Sequence, residues 1–473
     1  MANLLVNLSS TAASGNAPAS WAAVNALSAS GVTVGATTNV LILIGCVPLN
    51  PSTTDCSIEF RFYVNGAQVG GVCQSWMDST GGDNSDTQFM WAITGLSGSS
   101  NSFSVQWQYE QGATQAANTS RPRTFQVIEL ENDNAEILYS TTNVSQTSPA
   151  SWGNLFNSGN LTIAGTASIV MLIAMVPLLG VATDAVTQFQ FAVDTTREGA
   201  ITATYCDEAN GQIGFSGCHV TNGLSAGTHT FQLQWQRSTG AMNSDPQTAA
   251  FCVVEVTGSA VLESAITSTA SWSYPSGSFG NDPELDADVT IASTSAVVLV
   301  AANFTMASNG TTDTTGLLGI GMDDSQSGAI ISSFSDTTNI VGGSLVARAF
   351  TGISGSHSFQ LMAMINVSVP SMNTSRPRTM FIISFGTTTY YVSGVTRDKD
   401  GAILGSCDVY LMKNNGDDTM TMVAHTTSNA STGVYTFSTL GVANSTDLMI
   451  IAFKDGSPNI ADCTEWNVEA VEE

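Results

Sequence analysis

The residues of this chain that could do chemistry are four histidines, eight cysteines and three acidic turns. Cys218 beside His219 is the pairing a thiolate–imidazole dyad would need. Neither residue lies in a recognisable nucleophile context, and the adjacency reads as incidental. His229 and His357 are 128 residues apart (357 − 229 = 128), and Asn101 stands 128 before His229 (229 − 101 = 128). An asparagine cannot replace a catalytic base, so these positions read as polar turn residues. His425 lies in a segment with no catalytic signature. The acidic turns are DSTGGDNSD (Asp78 to Asp86), Asp323-Asp324 and NNGDD (Asn414 to Asp418). Their oxygens could take an opportunistic calcium ion, but none has the ligand spacing of a helix–loop–helix calcium site, and they read as solvated loops. There is no CxxC and no Cys/His cluster with zinc spacing. We assign no catalytic, cofactor-binding or metal-ligating residue, and expect no cofactor and no enzymatic activity.

The elements that would have to position any site are revealed by repetition. GLSAGTHTFQLQWQ (Gly223 to Gln236) has counterparts in GLSGSSNSFSVQWQ (residues 95–108) and GISGSHSFQL (residues 352–361). Their phenylalanines, Phe103, Phe231 and Phe359, are equally spaced (231 − 103 = 128; 359 − 231 = 128). Each copy is a small-residue turn followed by strict alternation, the pattern of a half-buried strand with large aromatics inward. PASW at Pro18 recurs at Pro149, with TASW at Thr269. Apolar runs recur near Val40, at Ala167 to Ala182 and at Ala296 to Phe304. The longest is too short to span a bilayer and contains Pro177, so these read as strands buried on both faces. FRFYVNG, with Asn65-Gly66, announces a tight hairpin; FQFAVD (Phe189 to Asp194) stands in its place in the second copy and GIGMDD (Gly319 to Asp324) in the third. Ala363 stands where Trp107 and Trp235 stood, so the copies have diverged.

The domains are therefore 1–131, 132–257 and 258–386, with a tail at 387–473 that breaks the pattern. NTSRPRT occurs twice and carries Arg121, Arg123, Arg376 and Arg378, four of the nine arginines. In a chain this short of cations they should find carboxylates, either as ordinary surface pairs or as pins holding one repeat or subunit against the next.

Composition excludes several classes. With 12 Lys or Arg against 38 Asp or Glu, the formal net charge is −26, while only 11% of residues are charged. Such a chain does not bind nucleic acid by counterion release, nor an anionic membrane. It lacks the charged faces a helical layer would show. The third repeat has no cysteine, so no disulfide can be essential to the shared fold; Cys407 and Cys463 could pair. The start, MANLLVNLSS, has no basic region and no long apolar core. That points to assembly in a cytoplasm, or to an export signal elsewhere.

The repeats resemble the jelly-roll domains of complement- and tumour-necrosis-factor-like proteins and of phage fibre and head-decoration proteins. FRFYVNG, FQFAVD, SAGTHTFQLQW and RPRTFQVIEL carry this likeness. The tail resembles the carboxypeptidase regulatory-like, or transthyretin-like, β-sandwich, through Gly394, Val395, Asp398, Gly401, Val409, Leu411, Gly433, Tyr435 and Phe437. These resemblances imply an all-β chain: three tandem jelly-roll-like β-sandwich repeats, then a smaller Ig-like or transthyretin-like sandwich acting as a non-catalytic accessory. The expected function is a non-enzymatic virion component (head decoration, head fibre or tail fibre) displayed on the virion surface. Its partners would be other virion proteins of the capsid or tail, in a homo-oligomer or a pseudo-threefold unit, with loops open to a host glycan or surface protein. No membrane insertion is expected. The alternative is a bacterial or archaeal cell-surface adhesin or filament subunit; a glycan depolymerase would need clustered carboxylates, and no acidic position recurs in all three copies.

Overall fold

The computed structural model describes residues 2–472 except 36–38, 51–55, 78–83, 87, 113–115, 131–134, 143–145, 167, 207–208, 245–247, 258–259, 292, 308–313, 336–340, 368–370, 373–374, 387–389, 399, 415–419, 441–447, 455–459 and 469–470. Among the described residues every regular element is a strand. The first repeat supplies β1 (Ala2–Ser10), β2 (Ala22–Val34), β3 (Val40–Cys46), β4 (Cys56–Val64), β5 (Ala67–Met77), β6 (Asn84–Ser85), β7 (Gln88–Ile93), β8 (Gly98–Gly112) and β9 (Arg123–Leu130). The second supplies β10 (Ala135–Thr142), β11 (Gly153–Ile163), β12 (Ile169–Gly180), β13 (Ala185–Val193), β14 (Thr196–Cys206), β15 (Gln212–Asn222), β16 (Gly227–Thr239), β17 (Met242–Ser244) and β18 (Ala249–Val256). The third supplies β19 (Ala260–Ser268), β20 (Gly280–Ile291), β21 (Val297–Ala307), β22 (Thr314–Met322), β23 (Ser325–Ser335), β24 (Val341–Phe350), β25 (Gly355–Val367), β26 (Ser371–Met372) and β27 (Arg378–Phe385).

The three repeats share one topology. One sheet runs β1-β9-β3-β7, matched by β10-β18-β12-β15 and β19-β27-β21-β24. The other runs β2-β8-β4-β5, matched by β11-β16-β13-β14 and β20-β25-β22-β23. Two antiparallel four-stranded sheets in this order are a jelly roll, repeated three times. The hairpin turns obey the expected chemistry: Asn65 and Gly66, Asp194 and Thr195, and Asp323 and Asp324 all have positive φ. GIGMDD is thus the end of a true hairpin strand. Pro122 falls immediately before β9, where no ladder donor is required. Pro177 falls between the part of β12 that pairs with β18 and the part that pairs with β17.

Each sandwich closes over the aromatics that the repeats predict. Phe103, Phe231 and Phe359 are buried, as are Trp107 and Trp235. Phe62 and Phe89 meet at 4.8 Å between ring centroids, and Phe189 stacks on Phe215 at 4.2 Å. The third core, with Ala363 in place of tryptophan, takes in Tyr274, whose ring lies over Gly316.

The doubly apolar strands have a different cause. Along β12, Val170, Leu172, Ala174 and Val176 face the second repeat's own core. Ile169, Met171, Ile173 and Met175 face the opposite way, into a cluster that also holds Ile44 and Ile128 of the first repeat and Leu299 and Phe381 of the third. Along β21, Val298, Val300 and Ala302 likewise serve their own sandwich, while Val297, Leu299 and Ala301 join the common cluster. The outer face of one sheet from each repeat is therefore buried against the other two.

The packing is cyclic. Strand β5 lies against β12, β15 and β18 of the second repeat, and β14 against β21, β24 and β27 of the third. Strands β23 and β24 return to β9 of the first, and β7, β15 and β24 touch one another pairwise. Residues Met1–Gly386 thus form one compact, pseudo-threefold unit. Close approach is secured by glycines at equivalent places: a Cβ at Gly214 would strike the backbone of Gln74, and one at Gly343 the carbonyl of Ala203.

Thr387–Glu473 form a second unit. Its strands are β28 (Tyr390–Val395), β29 (Asp408–Asn414), β30 (Met420–Thr427), β31 (Val434–Leu440), β32 (Leu448–Lys454), β33 (Ile460–Val468) and β34 (Val471–Glu472). They make a three-stranded sheet β31-β28-β34 and a four-stranded sheet β30-β29-β32-β33 around Val392, Val409, Leu411, Phe437 and Ile450.

If the common cluster is a core in its own right, Ile173→Ala should cost as much as Leu172→Ala, each about 2–5 kcal/mol. Urea unfolding of residues 1–386 should then show a single lowered transition. A negligible loss at Ile173 would mean that the repeats fold independently.

Candidate functional site

The residues singled out for chemistry are placed in structural roles. His229 Nδ1 meets Asp194 Oδ2 at 2.6 Å and His357 Nδ1 meets Asp323 Oδ2 at 2.8 Å. In the first repeat Asn65 donates to Asn101 Oδ1 at 2.8 Å. In all three the hairpin residue also accepts from the start of the next aromatic strand: Ser102 N to Asn65 Oδ1 at 2.7 Å, Thr230 N to Asp194 Oδ1 at 2.9 Å and Ser358 N to Asp323 Oδ1 at 3.0 Å. Asn–Asn and Asp–His are two solutions to one clamp, tying the hairpin tip to the neighbouring turn. The clamp holds even Thr195, a β-branched residue, at φ 74°.

Cys218 is a buried thiol whose pKa burial raises, the opposite of an activated nucleophile. His219 points instead to Glu198, 3.2 Å away, and lies edge-on to Phe381 of the third repeat. Cys407 is a free buried thiol, and the side chain of Cys463, its suggested partner, lies outside the described residues. His425 packs against Tyr410 at 4.5 Å. Among the described residues no cluster of His, Cys, Asp and Glu could hold a metal ion. Of the three acidic turns, residues 78–83 and 415–419 lie outside the described residues. Asp323 and Asp324 are engaged with His357 and with Asn281, the latter at 2.5 Å. Asp86 corrects the expectation of a solvated loop: it is 1% exposed.

Asp86 is buried because the arginine motif needs it. Arg121 pairs with its Oδ2, Leu49 N donates to Oδ1 at 2.9 Å, and Ser332 of the third repeat donates to Oδ2 through its N–H at 3.1 Å and its hydroxyl at 2.6 Å. A buried ion pair survives only when its remaining lone pairs are filled, and here the filling comes from another repeat. Arg376, in the same place of the second NTSRPRT, crosses a different seam. With the Gln188 amide oxygen turned toward it, Arg376 donates from Nε at 2.8 Å and from Nη2 at 2.5 Å, and Nη2 lies 3.4 Å from Ser238 Oγ. Burial pushes the Arg376 pKa down to about 10, so it stays charged at neutral pH. The other arginine of each motif stitches its own repeat. Arg123 donates to the carbonyls of Asn25 and Ala12, both at 2.8 Å. Arg378 grips Asp282 at 2.5 and 2.9 Å and the carbonyl of Ala270 at 2.7 Å. The motif therefore places one arginine at a seam, Arg376 reaching across it and Arg121 acting through Asp86, and uses the other as a staple within a repeat; among the described residues, carboxylate partners are found for Arg121 and Arg378.

Buried amides complete the seams. Gln88 and Gln126 exchange hydrogen bonds with the backbones of Ala347 and Ala349, and Asn303 with that of Cys218. Main-chain bonds cross as well, from Val72 N to Thr248 O at 2.8 Å and from Ile201 N to Pro377 O at 3.1 Å. Sequence reasoning missed these amides, because a lone Gln in an apolar strand carries no mark of the backbone it serves. What the arrangement does is join three sandwiches.

The chain is thus a fused triple jelly roll followed by a smaller two-sheet unit. Its sequence matches no family model and no curated protein. Among solved structures it aligns with a triple jelly roll from the turret assembly of an archaeal virus at 10% identity, covering 78% of this chain and 83% of that one, with a TM-score of 0.17. It aligns with a tandem carbohydrate-binding pair from a Paenibacillus barcinonensis enzyme at 12% identity, 52% and 85% coverage and a TM-score of 0.18. A structure of infectious bursal disease virus gives 9% identity, 81% and 80% coverage and a TM-score of 0.20. It is the strand order described above, not these likenesses, that defines the fold.

Two outcomes follow. Arg121→Ala strands the Asp86 carboxylate in the seam and should cost about 3–5 kcal/mol, read by thermal unfolding. The second concerns pH. The Ser225 carbonyl and then Asp194 raise the His229 pKa, while the Thr230 N–H and then His229 lower that of Asp194. The histidine's contribution is complete below its ordinary value of about 6.5 and is lost as pH rises through the raised one. The aspartate's contribution is complete above about 3.9 and is lost as pH falls through the lowered one. The clamp is therefore strongest between these limits, and Asp194→Asn should lower the His229 pKa measured by NMR titration.

Proposed function

We propose that this chain is a non-enzymatic structural protein of a virion, a head-decoration, head-fibre or tail-fibre component displayed on the particle surface. The observation that carries this reading is the common core. Each repeat gives the outer face of one sheet's central strands to the other two, which fixes three jelly rolls as a rigid block of set stoichiometry. The jelly roll is a sandwich used by viral capsids, where copies are grouped about symmetry axes. A fused trio supplies such a group in a single polypeptide. The sparse charge of the chain leaves the block's surface to uncharged polar side chains, which suits a particle exterior.

The second unit is the attachment device. Of the eight large apolar side chains exposed among the described residues, six belong to it: Val395, Ile403, Met420, Met422, Val434 and Phe453. Exposed apolar side chains gathered on one small domain mark a protein-contact surface.

Immunogold labelling of the chain on intact particles tests the reading. Label on virions supports it; label confined to the host envelope overturns it. A Met422→Lys, Ile403→Asp double variant should fold as the native chain does and be incorporated into particles at least about tenfold less.

A further inference from the structure

The seam between the first and third repeats contains a pocket of about 250 Å³. We propose that it binds a small polyhydroxylated carboxylate, a sugar acid, with Arg348 gripping the carboxylate.

The argument begins with three equivalent glycines. Gly70, Gly199 and Gly328 are evenly spaced (199 − 70 = 129; 328 − 199 = 129) and all have positive φ, at 72°, 69° and 80°. Each is bare because a large side chain lies over it: Trp91, His219 and Arg348 respectively. The first two fill their seams. Trp91 is 2% exposed within the common core, and His219 rests edge-on against Phe381. Arg348 does not. The position equivalent to Phe381 is Gln126, whose amide is committed to Ala349 and Asn7. The space left over is the pocket.

The Arg348 side chain has no hydrogen bond or ion pair among the described residues. Its Nε is buried without a partner, and its guanidinium lies 5.2 Å from the Phe350 ring. Burial lowers its pKa, the mark of a charge held without compensation. A planar guanidinium in this state suits a bidentate oxyanion. No aspartate or glutamate lines the pocket, so no internal carboxylate competes there. The remaining polar lining is neutral, from Ser9 and Thr124 hydroxyls and the Asn7 and Gln326 amides. These are partners for hydroxyl groups, and the volume exceeds what an inorganic anion would fill. Asn7 and Ser9 are exposed, which leaves the mouth open. The chain's overall negative charge opposes anion binding only weakly here, because salt screens charges beyond about 8 Å.

The test is calorimetric titration of the full chain with glucuronate, glucose and inorganic sulfate. Saturable glucuronate binding is expected with Kd on the order of millimolar, sulfate binding more weakly and glucose not at all. Arg348→Gln should weaken glucuronate at least about tenfold. Ser9→Trp narrows the mouth while leaving the arginine in place, and should give the same loss with an unchanged melting temperature. That variant decides the matter should Arg348→Gln misfold. Absence of glucuronate binding, or unchanged binding in both variants, overturns the proposal. Glucose binding as tightly as glucuronate overturns the role of Arg348, and sulfate binding as tightly overturns the sugar acid. None of these outcomes depends on whether the chain belongs to a virion.

Discussion

Everything in residues 1–386 depends on apolar side chains that leave their own sandwich. A sheet in a free-standing jelly roll alternates core and solvent, and its strands show that alternation in sequence. Here β12 and β21 are buried along almost their whole length because alternate residues serve different cores. The common cluster makes each repeat part of its neighbours' interior, and the usual boundary between tandem domains, a polar interface a linker can flex across, does not arise. Burial also settles the thiols: Cys218 and Cys252, both in that cluster, are held protonated and out of reach.

The chain does not support its three seams in the same way. The first repeat is tethered to the second and the second to the third, so those contacts form at high effective concentration. The seam between the third and first repeats has no tether. It is held by directional bonds: Asp86 with Ser332, Gln88 with Ala347, and Gln126 with Ala349. Apolar contact is tolerant of sliding, whereas an amide that exchanges both its bonds with a single backbone residue fixes the register. Ring closure is thus specified by polar groups whose loss would leave buried donors and acceptors unmet.

Much of this was legible in the sequence. The spacing of Phe103, Phe231 and Phe359 announced three copies, the Asn65-Gly66 hairpin was explicit, and the apolar runs were recognisable as strands covered on both faces. What covered the second face was not legible, because hydrophobicity says that a surface is buried and not by what. The division of labour within NTSRPRT was hidden for a similar reason: Arg121 and Arg123 are two residues apart and identical in type, and only the fold sends one to the Asp86 carboxylate at a seam and the other to the carbonyls of Ala12 and Asn25. Asp86 was misread since all eight residues before it in DSTGGDNSD are small or polar, while its true environment is assembled from Leu49, Arg121 and Ser332.

Fusion of three copies into one chain changes what divergence can do. In a homotrimer every seam is identical, so a substitution that opens a cavity opens three, and a buried arginine without a partner is incurred three times. In a single polypeptide the position over the bulge glycine can be Trp91 in one seam, His219 in the next and Arg348 in the last. Two copies can keep the apolar closure that stabilises the block while the third exchanges it for a polar recess. The hairpin clamps show the same freedom, with Asn65 and Asn101 in one repeat and Asp–His pairs in the others. The wear visible in the third repeat is therefore not mere loss of pattern. It is concentrated where the scaffold tolerates it, and a threefold frame with one dissimilar seam can carry a feature that exact symmetry would forbid.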